Sequence, residues 1–437
     1  MKRPMKIGLL TPYTGGNLGD GAIQEAVIHH IRKRYPEAEL FGVTLNPPET
    51  ERLHRIPCYP LNALQSRYQT SRPAHTGAGS APAAGKIGHR RSAVSRLAPL
   101  FQLFSRLGRG VGYFLTELKL IRRGYRLLKD TDLLIVAGGG QIDDYWGGPW
   151  MHPYSLFKWG QLAKAAGTPF VFLSVGVCGL QSAWSRWFIR RALQAAAYRS
   201  YRDHWSKQFL ADFPGTQQDP VVPDLAFSYE PREGAKAWKA DAAAEVVGLS
   251  PISFIPPRQA SGRTPADHRH YWKTLAAFTA FLVGQGHTVV FFWSERSDQR
   301  DIEAIREMLD PEIPPSLKEK VRTADIESVA DLIAALSRMD YIVASRLHSV
   351  LLAHLLVKPT LAISYDRKVA THMADLQQQD YCLDIQRLDG EELKGRFLDL
   401  KNKKGEVTAS IGALLKSYGE PLNHQYDRVL RTPGNPG

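Results

Sequence analysis

Short apolar runs recur along this chain, each closed by glycine or a polar turn, and most lead into a segment with helical spacing. MKIGLL, ELFGVTL, TDLLIVAGGG, PFVFLSVGV and AAYRSYRD read as strands in the first half. EVVGLSPISF, HTVVFFWS and DYIVAS do so in the second. Ala22–Tyr35 carries an inner stripe of Ile23, Val27 and Ile31, and Trp184–Leu193, Tyr271–Gly286 and Ser328–Met339 also read as helices. Runs that are apolar throughout, rather than alternating, belong to strands covered on both faces. Strand–helix alternation then demands parallel sheets. The pattern restarts after VPDLAFSYEPREG, so the chain divides into residues 1–235 and 236–437, hinged around Gly234 to Ala244. With 437 residues there is chain enough for two or three cores.

One stretch breaks the alternation. Gln65 to Arg91 is rich in Ser, Ala, Gly, Pro and Arg and nearly devoid of large apolar residues, which predicts a mobile insertion. The following segment is basic. Between Lys86 and Lys129 lie Arg90, Arg91, Arg96, Arg106, Arg109, Lys119, Arg122, Arg123 and Arg126, opposed by Glu117 alone. Leu97, Phe101, Phe104, Leu107, Val111, Leu115 and Leu118 recur there at helical spacing. Two readings fit: a core-facing helix with a solvated basic face, or an amphipathic surface that rests on anionic lipid or attracts an acidic substrate. The net charge of +13 raises the question of nucleic acid, but no zinc finger, KH loop or RNP signature is present, so none is expected.

Cys58, Cys178 and Cys382 lie far apart and form neither a CxxC pair nor a metal-ligand spacing, which suits a reducing, cytoplasmic compartment. The opening MKRPMKIGLL reads as the start of a β–α unit rather than a leader peptide. The longest apolar stretch, Phe170–Leu180, is too short to span a bilayer.

Ligands of open parallel sheets bind at the carboxyl ends of the strands, and three such ends here carry chemistry. TPYTGGNLGDGAIQ follows the first strand; Gly15, Gly16 and Gly19 allow close backbone approach, and Asp20 is expected to cap the next helix. AGGGQIDDYWGG offers Gly138, Gly139 and Gly140, then Asp143 and Asp144, which could bind a metal, act as a base or cap a helix. After DYIVAS come Arg346, whose fork grips carboxylate or phosphate, and His348, which exchanges protons near neutral pH. A structural Arg–carboxylate pair and a capping His are the plain alternative at that turn.

Taken in order, these segments resemble the polysaccharide pyruvyl transferases, which form pyruvate ketals on sugars from phosphoenolpyruvate. GGNLGDGAI is similar to the family's GN-x-GD opening through Asn17, Gly19 and Asp20. AGGGQIDD resembles its glycine-rich strand end, with Asp144 at the acidic position. YRDHWS, VPDLAF and SRLHSVLLAHLLVKPTLAISYDRKV resemble three further segments through Arg202, Asp203 and Ser206, Asp224, and Arg346, His348, Pro359, Tyr365 and Lys368. Gly21 stands where the family often has Glu, and SVGVCG replaces its usual GQGIGP.

The resemblance implies a GT-B-like α/β fold, two Rossmann-like domains facing across a cleft. It implies phosphoenolpyruvate as donor and a saccharide, free or lipid-linked, as acceptor. By the same resemblance Arg346 would clamp the donor, with Arg202 and Lys368 as further cations, and Asn17, Gly139 and Gly140 would line the site. His348 would serve as general acid or base, and Asp144 would orient or deprotonate the acceptor hydroxyl. No metal or nucleotide cofactor is implied. A nucleotide-sugar glycosyltransferase and a non-catalytic saccharide-binding relative are the alternatives on the same fold.

Overall fold

The computed structural model describes residues 3–64, 98–145, 147–231, 244–253 and 265–431, with backbone alone over 98–110 and 265–267. The expected insertion at 65–91 lies outside the described residues, as does nearly all of the expected hinge at 234–244.

In the first half the strands are β1 (Lys6–Leu10), β2 (Glu39–Thr44), β3 (Cys58–Pro60), β4 (Leu133–Ala137), β5 (Ile142–Asp143), β6 (Phe170–Val175), β7 (Val177–Gly179) and β8 (Tyr198–Tyr201). In the second they are β9 (Val246–Ser250), β10 (Thr288–Phe291), β11 (Val321–Thr323), β12 (Tyr341–Ala344), β13 (Thr360–Ser364) and β14 (Cys382–Asp384). The two main sheets run β3-β2-β1-β4-β6-β8 and β11-β10-β9-β12-β13-β14, while β5 and β7 pair separately. All pairings are parallel. With the small pair set aside, both sheets have the doubly wound Rossmann order. The central strands β4, β6 and β9 are buried at every residue, which is why they read as unbroken Leu/Ile/Val/Phe runs.

The first helix runs Leu18–Arg34, a turn earlier than its apolar stripe suggests. The reason is Asn17, whose side chain accepts from the backbone N–H of Gly19 and Asp20 at 3.0 and 3.2 Å. Asn17 is therefore the cap, and the expectation that Asp20 caps this helix is corrected. The two halves are stitched at this point: Leu18 N–H donates to the Ser294 carbonyl at 2.7 Å, and Arg296 N–H to the Gly16 carbonyl at 3.0 Å. The last helix, Lys404–Leu430, returns to the first half, where Gln425 donates to Ser174 Oγ at 3.0 Å and Tyr426 stacks on His30 at 4.5 Å. One apolar cluster runs continuously through both halves, from Ile7 and Val27 to Val247 and Leu352.

Candidate active site

The stitched junction brings the ends of β1 and β12 face to face. Arg346 occupies the N-cap position of helix Leu347–Leu355, and His348 lies in its first turn. Gly19, in the first turn of the opposing helix, packs so closely that a Cβ there would sit 2.1 Å from His348 Cβ. The next residue, Asp20, carries its Oδ1 4.0 Å from His348 Nδ1.

This pair is electrostatically inverted. Burial drives the His348 imidazole down to about 4, further lowered by Arg202, Lys368 and Arg346 and only partly countered by Asp224, so it is neutral at pH 7. Burial also pushes Asp20 up to about 7, helped by Glu295 and Asp224 and restrained by Lys368 and Arg202. The carboxyl, not the imidazole, is the group poised near neutrality. His348 Nε2 is buried and has no hydrogen-bond partner among the described residues.

Three cations surround the pair, in different states. Arg346 donates through Nε and Nη2 to both oxygens of fully buried Asp298, at 2.6 and 2.7 Å. Its fork is thus engaged by a carboxylate of its own half, the plain alternative named above. Arg202, at the end of β8, is 9% exposed and reaches Asp203 at 3.2 Å and Asp224 at 3.4 Å. Lys368 follows β13 with its ammonium 5.1 Å from the Tyr365 ring centroid. Burial works against its charge and is outweighed by Tyr365, Cys178 and Asp366, so it is held above the ordinary lysine range.

The end of β4 supplies the floor. Gly138 and Gly139 have φ of 50° and 68°, a left-handed turn that a side chain resists. Close approach reinforces the demand: a Cβ on Gly139 would lie 3.3 Å from Asp20 Oδ1, and one on Gly140 2.8 Å from Cys178 Sγ. Cys178 is exposed to solvent, yet surrounding protein raises its thiol, as at the bottom of a cleft. Asp143 is pushed up to about 6 by burial, against the pull of Tyr145 N–H and Lys368.

Asp144 points elsewhere. It is 7% exposed and accepts from Gln181 N–H and Ser182 N–H at 2.8–3.0 Å, holding the turn before helix Ala183–Ala195. Its carboxylate is engaged by three backbone hydrogen bonds. Of the residues expected from the sequence, the structure brings His348, Arg202, Arg346, Lys368 and Gly139 to one locality; Asn17 supports it as a cap, Gly140 backs Cys178, and Asp144 stays outside. Asp20 and Glu295 were missed as chemistry. Asp20 stood in a quoted motif but read as a cap, and Glu295 carries no sequence signal beyond its place just after β10.

Two Rossmann-ordered sheets with a shared cleft at their strand ends define a GT-B-like protein, and solved structures bear out that fold. Similar ones include a UDP-GlcNAc 2-epimerase from Neisseria meningitidis bound to UDP-GlcNAc (10% identity, 98% of this chain and 100% of that one covered, TM-score 0.52). Others are a UDP-GlcNAc 2-epimerase from Methanocaldococcus jannaschii (10%, 92% and 94%, TM-score 0.53) and a glycosyltransferase from Rickettsia africae (9%, 99% and 100%, TM-score 0.52). No match was found among curated proteins. Residues 17–367 match the family model for polysaccharide pyruvyl transferases, and the chain belongs to that family. It is a transferase of polysaccharide biosynthesis.

Proposed function

We propose that the protein transfers the pyruvyl group of phosphoenolpyruvate to two hydroxyls of one saccharide, forming a pyruvate ketal. The observation that carries this reading is the Asp20–His348 pair, its buried Nε2 unpartnered, ringed by Lys368, Arg202 and Arg346. A donor with a phosphate and a carboxylate needs fixed cations; a reaction that protonates an enol carbon and deprotonates hydroxyls needs an acid and a base.

In this reading Lys368 meets one anionic group of the donor. Arg202 and Arg346, held by their carboxylate partners, contribute field rather than a free fork. Protonated Asp20 gives its proton to the methylene carbon of the enol, leaving the neighbouring carbon electrophilic. Neutral His348 takes the proton of the attacking hydroxyl as the new C–O bond forms. The C–O bond to phosphate then breaks, the second hydroxyl adds to the same carbon, and its proton leaves with phosphate. His348 then returns its proton to the nearby Asp20 carboxylate, the stronger base of the two, which resets the pair. Of the two hydroxyl protons one replaces that given to the new methyl group and one leaves on phosphate, so donor and diol give ketal and inorganic phosphate in balance. Asp20 is thus the acid of the pair, and His348 takes the base role that the sequence offered to Asp144.

The test is incubation with phosphoenolpyruvate and a panel of glycosides, reading phosphate release and ketal formation. Phosphoenolpyruvate should raise the unfolding midpoint and UDP should not. Stabilisation by UDP alone, with no phosphate released, would favour nucleotide-sugar chemistry instead.

A further inference from the structure

The exposed large apolar residues are not scattered. Val111, Phe114, Leu115 and Leu118 form one stripe along helix Ala98–Lys129, each 45–63% exposed. Trp150, Trp184 and Trp187 stand 45–58% exposed at the starts of helices His152–Ala166 and Ala183–Ala195. Among the described residues only Tyr145, beside Asp143 at the cleft rim, and distant Leu398 add to this set.

The two groups are physically joined. Glu117 pairs with Lys158 at 2.7 Å and accepts a hydrogen bond from Tyr154. Tyr154 packs on Trp150 and Phe188 at 5.9 and 5.6 Å, and Trp184 lies 6.2 Å from Trp150 and 6.3 Å from Trp187. In a doubly wound sheet the helices that follow strands begin at the strands' carboxyl ends. The tryptophans therefore sit at the end of the molecule where the cleft opens.

The charge around this surface is predominantly positive, with exposed Asp212 paired to Arg186 as the acidic exception beside the tryptophans. Helix Ala98–Lys129 carries seven basic residues and one acidic, and that one, Glu117, is turned inward onto Lys158. Lys119, Arg122, Arg123 and Arg126 are exposed beyond the stripe, and Arg190 and Arg191 are exposed beside Trp187. Interfacial tryptophans, an aliphatic–aromatic stripe and a basic surround are what a protein lying on an anionic bilayer presents. No helix of the described residues is long and apolar enough to cross a membrane.

We infer that this surface docks on an anionic phospholipid bilayer, with the cleft mouth at the headgroup level. The inference extends the proposed function by naming where the acceptor is met: on a lipid carrier at the membrane surface.

The full chain should float with phosphatidylglycerol-containing vesicles at low salt and not with phosphatidylcholine alone. Molar salt, which shortens screening to ~3 Å, should weaken binding. Trp184→Ser/Trp187→Ser and Phe114→Ser/Leu118→Ser should each lower vesicle partition by about tenfold or more, with an unchanged unfolding midpoint. Failure of the parent to float, or variants that float equally well, would overturn the inference. So would a concentration-dependent dimer that Phe114→Ser abolishes, because a second copy would then cover the surface. Binding that appears only after deletion of 65–91 would assign the surface to the chain's own segment and overturn it too. Partition is read without donor or acceptor, and transfer to a water-soluble glycoside without vesicles, so either reading can fail alone.

Discussion

Replacing Gly19 by alanine would test the junction that holds the acid–base pair. The added methyl would lie 2.1 Å from Cβ and Cγ of His348, whereas carbon atoms rest at ~3.5–4.0 Å. The two halves, or the imidazole, must therefore give by about 1.5 Å. The helix itself does not object, because Gly19 is not at positive φ; alanine is the better helix former by at most about 1 kcal/mol. Overpacking of this kind costs about 1–3 kcal/mol, so the net loss of stability should be small, on the order of 0–2 kcal/mol. The effect on chemistry should be larger, because a shift of ~1 Å in a reacting group can cost about 10²-fold in rate. The assay pairs thermal unfolding with phosphate release from phosphoenolpyruvate in the presence of a responsive glycoside. The expected variant is folded and about a hundredfold slower. A folded variant with turnover within about twofold of the parent would refute the reasoning that His348 must be held at its present spacing from Asp20.

Other substitutions separate chemistry from scaffold. Asp20 is raised to about 7 from its ordinary 3.8, so the folded state binds its proton more tightly than the unfolded one and stability falls as pH rises through that window. Asp20→Asn should therefore unfold at a higher temperature than the parent at pH 8, lose that advantage towards pH 4, and be severely impaired in ketal formation. Asp144→Asn removes acceptors from Gln181 N–H and Ser182 N–H and should cost about 1–3 kcal/mol in denaturant unfolding while sparing turnover far more than Asp20→Asn does. Asp298→Ala strands the Arg346 guanidinium that it now holds at 2.6–2.7 Å; unfolding should register a loss of about 3 kcal/mol, and calorimetry should show the anionic donor bound no more weakly, because the freed guanidinium stays cationic.

Much of the architecture was legible because parallel strands covered on both faces leave continuous apolar runs, as in LLIVA and FVFLSV. The edge strands β3, β11 and β14 span three residues each, too short to carry a pattern. The first helix lost a turn in the reading because Gly19 and Gly21 resemble loop, and only the opposing His348 explains why the first must be glycine. Arg346, His348 and Lys368 were found because parallel sheets put ligands at strand ends. Their states were not. The partner of Arg346 is 48 residues away in sequence, and whether a carboxylate such as Asp144 faces backbone donors or a cleft depends on the direction of one turn. The inversion of Asp20 and His348 follows from burial between two halves, which no local spacing encodes.

That inversion couples acidity to the union of the halves. Burial is the largest cause of the raised Asp20 pKa, and Glu295 is the next. Glu295 belongs to the second half, just after β10, and reaches the first at Gly16, where a Cβ would lie 3.1 Å from its Oε1. Parting the halves would hydrate Asp20 and withdraw Glu295, and both changes lower its pKa towards that of an ordinary carboxylate. An open cleft would thus hold an ionised Asp20 with no proton to give, and donor would be protonated only in the joined state. Glu295→Gln isolates the electrostatic part of this coupling. If protonated Asp20 is the acid, the rate falls as pH rises through its pKa. Removing the neighbouring negative charge lowers that pKa, so the falling limb should move below pH 7 and activity should recover in more acidic buffer. A limb that stayed in place, or moved to higher pH, would mean that the proton comes from another group.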